Sequence, residues 1–221
     1  MTSRTILITG VAGFIGHSCA KRLLAEGWRV VGIDNLNDYY SPKLKEARLA
    51  NLATHPNAAQ FVFEPLDLTN GEALNALVLR EKPQVVLHLA AQAGVRYGMV
   101  HQAPYLASNL IGHFNVLQAA KTLAEEGAPL AHLLYASSSS VYGNREGDTG
   151  GFTETDTIMQ PQSLYAATKV ADEALSHAWA NQFKTPCTGL RFFTVWPLGS
   201  ARYVAADVYQ SAARRYADYT V

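Results

Sequence analysis

The stretch Ile6-Leu-Ile-Thr-Gly-Val-Ala-Gly-Phe-Ile-Gly16 decides the fold. Its first four residues are apolar or β-branched, as in a buried strand, and its end opens a helical pattern over residues 14–26. Between them stand Gly10, Gly13 and Gly16, spaced GxxGxxG. In a strand–turn–helix setting the first glycine allows a tight turn. The second lets the backbone approach a pyrophosphate, and the third permits close helix–strand packing. The phosphates of a dinucleotide then sit on free N–H groups at the positive end of the helix.

The pattern continues outward from this unit. Apolar β-type runs occur at 5–9, 28–33, 60–64, 84–89, 131–136 and 187–193, with helical patterns at 14–26, 42–53, 71–80, 104–126 and 162–183 between them. Several strands are unbroken apolar runs, the mark of a parallel sheet covered on both faces. Alternating βα units with right-handed crossovers predict an α/β Rossmann fold, a doubly wound parallel sheet in the order 3-2-1-4-5-6. Residues 143–161, rich in Gly, Asp, Thr and Pro, read as a long surface loop.

Two acids extend the dinucleotide reading. Asp34 is expected to end the second strand, where a carboxylate accepts hydrogen bonds from the adenosine ribose. It would repel a 2′-phosphate, which favours NAD over NADP. Asp67 is expected to end the third strand, near the adenine.

Tyr165 and Lys169 are four residues apart on a predicted helix and share a face. A tyrosine is a poor base near neutral pH because its ordinary pKa is about 10. A neighbouring ammonium and a positive nicotinamide ring favour the phenolate, so Lys169 is expected to lower the Tyr165 pKa. Tyr39 and Lys43 have the same spacing, but Pro42 between them argues against one helical turn. Only Tyr165 follows a strand ending in Ala136-Ser-Ser-Ser-Ser-Val-Tyr-Gly143. Within that run, Ser138 is the candidate for the reacting oxygen. A small polar loop capping the strand is the alternative for each serine.

The chain has 221 residues, 48% of them hydrophobic, and no formal net charge. Nothing in that balance suggests a nucleic-acid surface. Cys19 and Cys187 lie far apart, without metal-ligand spacing. His88, His101, His113 and His132 form no recognisable metal set, and no metal is expected. The start carries no secretory pattern, and no segment has the length of a bilayer span. A soluble, cytoplasmic protein is the expectation.

The glycine turn, Asp34, Leu89-Ala-Ala-Gln-Ala-Gly-Val-Arg96, Asn109, the serine run and Tyr165–Lys169 occur together in this order. The chain thereby resembles the extended short-chain dehydrogenase/reductase family, and within it the NAD-dependent nucleotide-sugar epimerases. It is most similar to the UDP-glucuronate 4-epimerases in Asp34-Asn-Leu-Asn-Asp-Tyr-Tyr40, Ala91-Gln-Ala-Gly-Val-Arg96, Tyr135-Ala-Ser-Ser-Ser-Ser-Val-Tyr142 and Gly189-Leu-Arg-Phe-Phe-Thr-Val195.

The resemblance implies 4-epimerisation of a nucleotide sugar through a transient 4-keto intermediate. Tyr165 would take the proton of the 4-hydroxyl, Lys169 would bind the nicotinamide ribose, and Ser138 would hold the 4-oxygen. The cofactor site would comprise Gly10, Gly13, Phe14, Ile15, Gly16, Asp34, Asn35, Asp67, Leu68, Leu89, Ala90, Ala91, Ala93, Asn109, Tyr165 and Lys169. Ser139, Ser140 and Thr194 would face the sugar, and Arg96 would either face it or order its own loop. Related dehydratases and decarboxylases carry acidic residues in the serine loop, and Ser137–Ser140 offer none. The resemblance also implies a homodimer through a four-helix bundle. An NAD-dependent reductase on another substrate and a non-catalytic NAD-binding module stay open as alternatives.

Composition changes abruptly after Val195. Residues 196–221 contain no Ile, and no Leu after Leu198, but are crowded with Ala, Arg and Tyr. The family continues with Tyr-Gly-Pro-Trp-Gly-Arg-Pro-Asp-Met at this point. Reading permitted codons of the tail from their second base gives a similar run. We therefore read 1–195 as the NAD-binding domain with its Tyr–Lys pair, and 196–221 as an aberrant tail from a change of coding frame, with a natural tail of unknown role as the alternative. On that reading the C-terminal substrate lobe is missing. The family's arginine that is thought to pair with the sugar carboxylate is absent, and Arg202 lies outside its motif. Impaired turnover follows from the loss of remote binding energy.

Overall fold

The computed structural model describes residues 4–144, 150–158 and 160–195. The tail 196–221, with Arg202, and residues 145–149 and 159 of the long loop lie outside the described residues. The strands are β1 (Thr5–Thr9), β2 (Arg29–Asp34), β3 (Phe61–Pro65), β4 (Val85–His88), β5 (His132–Ser138) and β6 (Cys187–Phe192). The helices are α1 (Phe14–Ala25), α2 (Pro42–Ala53), α3 (Gly71–Glu81), a single turn α4 (Ala103–Tyr105), α5 (Gly112–Glu125) and α6 (Leu164–Phe183).

All five strand pairings are parallel, and the sheet order is β3-β2-β1-β4-β5-β6. That is the expected doubly wound order. Ends differ by a residue or two, as helix and strand termini do. Asp67 falls two residues beyond β3 rather than at its end, because the strand stops at Pro65. The helical run expected over 104–126 is continuous but not uniformly α: Leu106–Ile111 is π-helical.

Side chains alternate across the sheet, so neighbouring residues join different cores. Leu7, Val31, Val86 and Leu133 pack with residues of α3 and α5 on one face, Leu74, Leu77 and Leu117 among them. Ile6, Ile8, Val30, Val85 and Leu134 pack with Leu23, Leu24 and Leu52 of α1 and α2 on the other. Each such fully buried side chain contributes about 1.5–3 kcal/mol. The Asn70 side chain caps α3 by accepting from Ala73 N, and Ser163 caps α6 by accepting from Ala166 N at 3.1 Å. The outcome for function is alignment. In a parallel sheet every strand ends on one rim, and here the rim carries Gly10, Asp34, Leu89, Ser138 and Thr194 close to their strand ends.

Candidate active site

A cleft of about 540 Å³ runs along the carboxyl ends of the strands and spans the switch between β1 and β4. At one end is the glycine turn. Gly10 is left-handed, φ 70°, and a Cβ there would come within 2.9 Å of Ala90 N. A Cβ on Gly16 would land on the carbonyl oxygen of Gly10. Gly10 N and Val11 N donate to Ile33 O, at 2.8 and 3.1 Å, tying the turn to β2. Gly13 gives α1 no side-chain cap, so first-turn N–H groups of Phe14, Ile15 and Gly16 face a cleft that all three residues line.

Asp34 stands next. Its Oδ1 accepts from Leu36 N at 2.9 Å and from Lys45 Nζ at 3.3 Å. Both side chains of this ion pair are under one-tenth exposed. Lys45 also donates to Asn37 Oδ1 at 3.0 Å. Asn35 Nδ2 donates to Asp67 Oδ2 at 2.8 Å, while Thr69 donates through its backbone and hydroxyl to Asp67 Oδ1. Burial works to raise the Asp67 carboxyl, but these bonds from Asn35 and Thr69 outweigh it and hold it below the usual range.

The middle wall is the loop after β4. Thr9 Oγ1 accepts from Leu89 N and Ala90 N, at 3.1 and 3.0 Å, and reaches His88 Nδ1 at 2.8 Å. Leu89, Ala90, Ala91 and Ala93 therefore line the cleft, together with Leu68 from beyond β3. Asn109 does not line it. Its amide clamps both backbone groups of Gln92 and donates to Thr168 Oγ1 at 3.0 Å, with 1% of the residue exposed. Thr168 in turn donates to Tyr165 O at 2.8 Å. The π-helical turn presents Asn109 to this clamp and Ser108 to the cleft. Asn109 thus joins the β4 loop to the turn of α6 that carries Tyr165.

At the far end Ser138, Ser139, Tyr165, Lys169 and Thr194 line the cleft. The Ser138 hydroxyl faces the Tyr165 phenol and accepts from Ser140 N and Oγ, at 3.2 and 2.9 Å. Ser140 is consumed by that turn and is not on the cleft wall. Arg96 is exposed at the start of a short turn, Tyr97–Met99, also off the wall. The structure corrects the electrostatic expectation for Tyr165. Burial pushes its phenol above the ordinary value, the Ser138 hydrogen bond opposes this, and Asp172, Tyr105 and Tyr40 add to the rise. The Lys169 ammonium is engaged elsewhere, 3.0 Å from Asp172 Oδ2.

The sequence reading missed Lys45, Asp172, Gln92, Tyr39 and Tyr40. The two tyrosines line the cleft, while Lys43 is exposed. Three of the four histidines set aside as non-ligands are buried and partnered, His88 by Thr9, His113 by Ser176 and His132 by Thr188. No helix among the described residues is long and apolar enough to cross a membrane.

The glycine turn has the form of a dinucleotide cradle, and the same cleft leads to Ser138, Tyr165 and Lys169. Comparison with known proteins points the same way. The chain is 44% identical to a probable UDP-glucuronate 4-epimerase of Rhizobium meliloti over 190 residues, covering 86% of this chain and 53% of that one. It is also 44% identical to UDP-glucuronate 4-epimerase 6 of Arabidopsis thaliana, covering 87% and 40%. The chain thus spans about half the length of the curated relatives it matches. Among solved structures it resembles a tyrosine-to-phenylalanine mutant of UDP-glucuronic acid 4-epimerase from Bacillus cereus, in complex with UDP-4-deoxy-4-fluoro-glucuronic acid and NAD. That match has TM-score 0.76 and 32% identity, over 87% of this chain and 57% of that one. The family model of the NAD dependent epimerase/dehydratase family matches residues 6–216. With nearly the whole chain inside that match, and the glycine cradle and Ser–Tyr–Lys site within it, the chain belongs to the NAD dependent epimerase/dehydratase family.

Proposed function

We propose that this chain carries the cofactor and acid–base half of an NAD-dependent nucleotide-sugar 4-epimerase, of the UDP-glucuronate to UDP-galacturonate type. The observation that carries the reading is one cleft lined by the glycine turn, Asp34, Ser138, Tyr165 and Lys169. Its volume of about 540 Å³ lies within the range of small-molecule and cofactor sites. Gly10–Gly16 and the first turn of α1 would hold the pyrophosphate, and Asp34 the adenosine ribose. Lys169 would hold the nicotinamide ribose. When bound, NAD supplies reversible hydride acceptance at the sugar carbon and a positive ring beside Tyr165.

The chain's own residues then move protons. Tyr165 takes the 4-hydroxyl proton as the carbonyl forms, and returns it to the oxygen after the 4-keto sugar has turned over. Ser138 hydrogen-bonds that oxygen on both steps. Because burial raises the Tyr165 phenol, the phenolate depends on cationic company from Lys169 and the cofactor. Ser137 is not free for the sugar: its hydroxyl donates to Glu173 at 2.5 Å, and Arg191 grips the same carboxylate at 2.9 Å.

Leu106, Ile111 and Phe114 leave an exposed apolar strip leading into α5, and Phe114 stacks edge-on against Trp179 of α6 at 5.7 Å. This strip supports the homodimer reading, with α5 and α6 of two copies forming a four-helix bundle.

We further propose that the 221-residue chain turns over slowly, because the sequence of residues 196–221 departs from the family's run at the position of its carboxylate-pairing arginine. The test joins gene and chemistry. The DNA around the Val195 codon is sequenced, and both the 221-residue chain and any chain encoded in the alternative frame are assayed with UDP-glucuronate and NAD. Isomerisation at C4 without net cofactor consumption supports the proposal. Stoichiometric reduction of NAD favours a dehydrogenase. An alternative frame closed by stops removes the frame-change reading, and robust turnover by the 221-residue chain refutes its impairment.

A further inference from the structure

Behind the cleft lies a carboxylate that the mechanism above does not use. Asp172 is 0% exposed and does not line the cleft. Its Oδ2 accepts from Lys169 Nζ at 3.0 Å, one helical turn back on α6, and Lys169 is itself 2% exposed. The Asp172 Oδ1 has no hydrogen-bond partner among the described residues. Lys169 therefore stands between two claims, the cleft on one side and Asp172 on the other.

The surroundings single out Lys169 as the charge that Asp172 answers. Glu173 and Tyr165 face it from its own helix, His113 from α5 and Tyr135 from β5. His113 is pushed down to about 3 by burial, then by Lys169, so it is neutral near pH 7. His88, stacked on His113 at 5.2 Å, is likewise held neutral. Glu173 is taken by Arg191. A buried carboxylate with one satisfied oxygen destabilises the fold unless its partner stays charged, which marks such groups as functional candidates.

We propose that Asp172 is a positioning residue for the Tyr165–Lys169 pair: from outside the cleft its carboxylate orients the Lys169 ammonium and mutes that charge toward Tyr165. The proposal rests on the reading of Tyr165 and Lys169 given above, and Asp172 itself touches neither sugar nor cofactor. Two consequences follow. Losing the carboxylate frees Lys169 to swing, weakening its hold on the nicotinamide ribose. Losing its negative charge also makes phenolate formation at Tyr165 easier, since Asp172 is among the groups that raise the phenol. The pair is itself pH-sensitive. Burial raises the Asp172 carboxyl to about 6 despite the opposing pull of Lys169. Its grip on Lys169 is present above that pH and is lost as pH falls through it.

The test uses the full 221-residue chain, with NAD as the probe. Tyrosinate absorbance is titrated in the parent and in Asp172→Asn, each corrected by subtracting the same background carrying Tyr165→Phe. NAD affinity is measured in Asp172→Asn, in Lys169→Met and in the double variant. The Tyr165 midpoint is expected to fall by about half a unit or more in Asp172→Asn. NAD affinity is expected to fall about threefold to tenfold, with no further loss when Asp172→Asn is added to Lys169→Met. An unmoved Tyr165 midpoint, or an equal NAD loss from Asp172→Asn with and without Lys169, overturns the proposal. Should Asp172→Asn not fold, the parent decides. Its NAD affinity is then expected to drop below about pH 6 with an inflection absent from Lys169→Met, and a flat profile overturns the proposal. A parent that binds no NAD defeats the cofactor reading, while the apo tyrosine titration still judges Asp172.

Discussion

Lys45 reaches back from the first turn of α2 to Asp34 at the end of β2, Nζ to Oδ1 3.3 Å, with both side chains withdrawn from solvent. The acid expected to select NAD is thus half of a buried ion pair. Arg48, one turn further along α2, feels the same carboxylate and donates to Ala12 O at 3.2 Å. Cofactor choice therefore depends on a balance of one acid against two bases. Replacing Asp34 by Asn leaves Lys45 and Arg48 without the opposing carboxylate beside the proposed ribose site. NAD affinity is expected to fall and NADP affinity to rise, narrowing the preference by at least about tenfold, or about 1.4 kcal/mol. Paired titrations with the two cofactors measure it.

Breaking the same pair from the other side has a different signature. Lys45→Met leaves Asp34 buried with only Arg48 as a neighbouring cation, so the loss should approach but not exceed the about 3–5 kcal/mol of a fully unpaired buried charge. Chemical denaturation should show a lower midpoint with an unchanged slope. An unaltered midpoint would mean that water reaches Asp34 freely.

Gly16→Ala tests the cradle. The added methyl has nowhere to go but the Gly10 carbonyl, so the turn must open. NAD affinity should fall at least about tenfold, with a stability loss of about 1–3 kcal/mol typical of overpacking. Calorimetry and thermal unfolding report the two separately.

Tyr165→Phe removes the proton acceptor but little of the cleft wall. Turnover of UDP-glucuronate, in whichever of the two assayed chains epimerises it, should fall about 10²–10⁴-fold, the range for a general acid–base group. NAD affinity should change by less than about threefold. Loss of both together would indicate a role in holding the cofactor.

The buried imidazoles set an acid limit. Burial first, then Lys169, lowers His113 to about 3, far beneath the 6.5 of an unfolded chain. His88 moves the same way, by burial first and then His113. A folded pKa below the unfolded one contributes stability that is present above about pH 6.5 and is lost as pH falls towards 3. His113→Gln should therefore flatten the decline of stability between those values. A curve parallel to that of the parent would assign acid unfolding to other groups.

Much of this was legible in the sequence because it is local. The strand order follows from apolar strand runs alternating with helical segments through right-handed crossovers, and the glycine turn, Asp34 and Tyr165–Lys169 depend on spacing within one or two elements. What was missed is mostly partnership across the fold. Lys45 looks like one base among several on α2 until β2 is placed beneath it. Asp172 reads as an ordinary polar position on α6, yet packing leaves it 0% exposed. The sequence assigns Lys169 to Tyr165 and the nicotinamide ribose but not to Asp172, because the competing carboxylate is recognisable only once burial is known. Asn109 sits beside the site in sequence logic, but its three hydrogen bonds turn it into the fastening between the β4 loop and α6.

The most direct test of the account is calorimetric titration of the purified 221-residue chain with NAD and with NADP, beside Gly16→Ala and Asp34→Asn. The expected result is saturable one-to-one binding of NAD in the parent, much weaker binding of NADP, severe loss of NAD binding in Gly16→Ala and a narrowed preference in Asp34→Asn. No NAD binding by the folded parent, or equal affinity for both cofactors unaffected by either substitution, would contradict it.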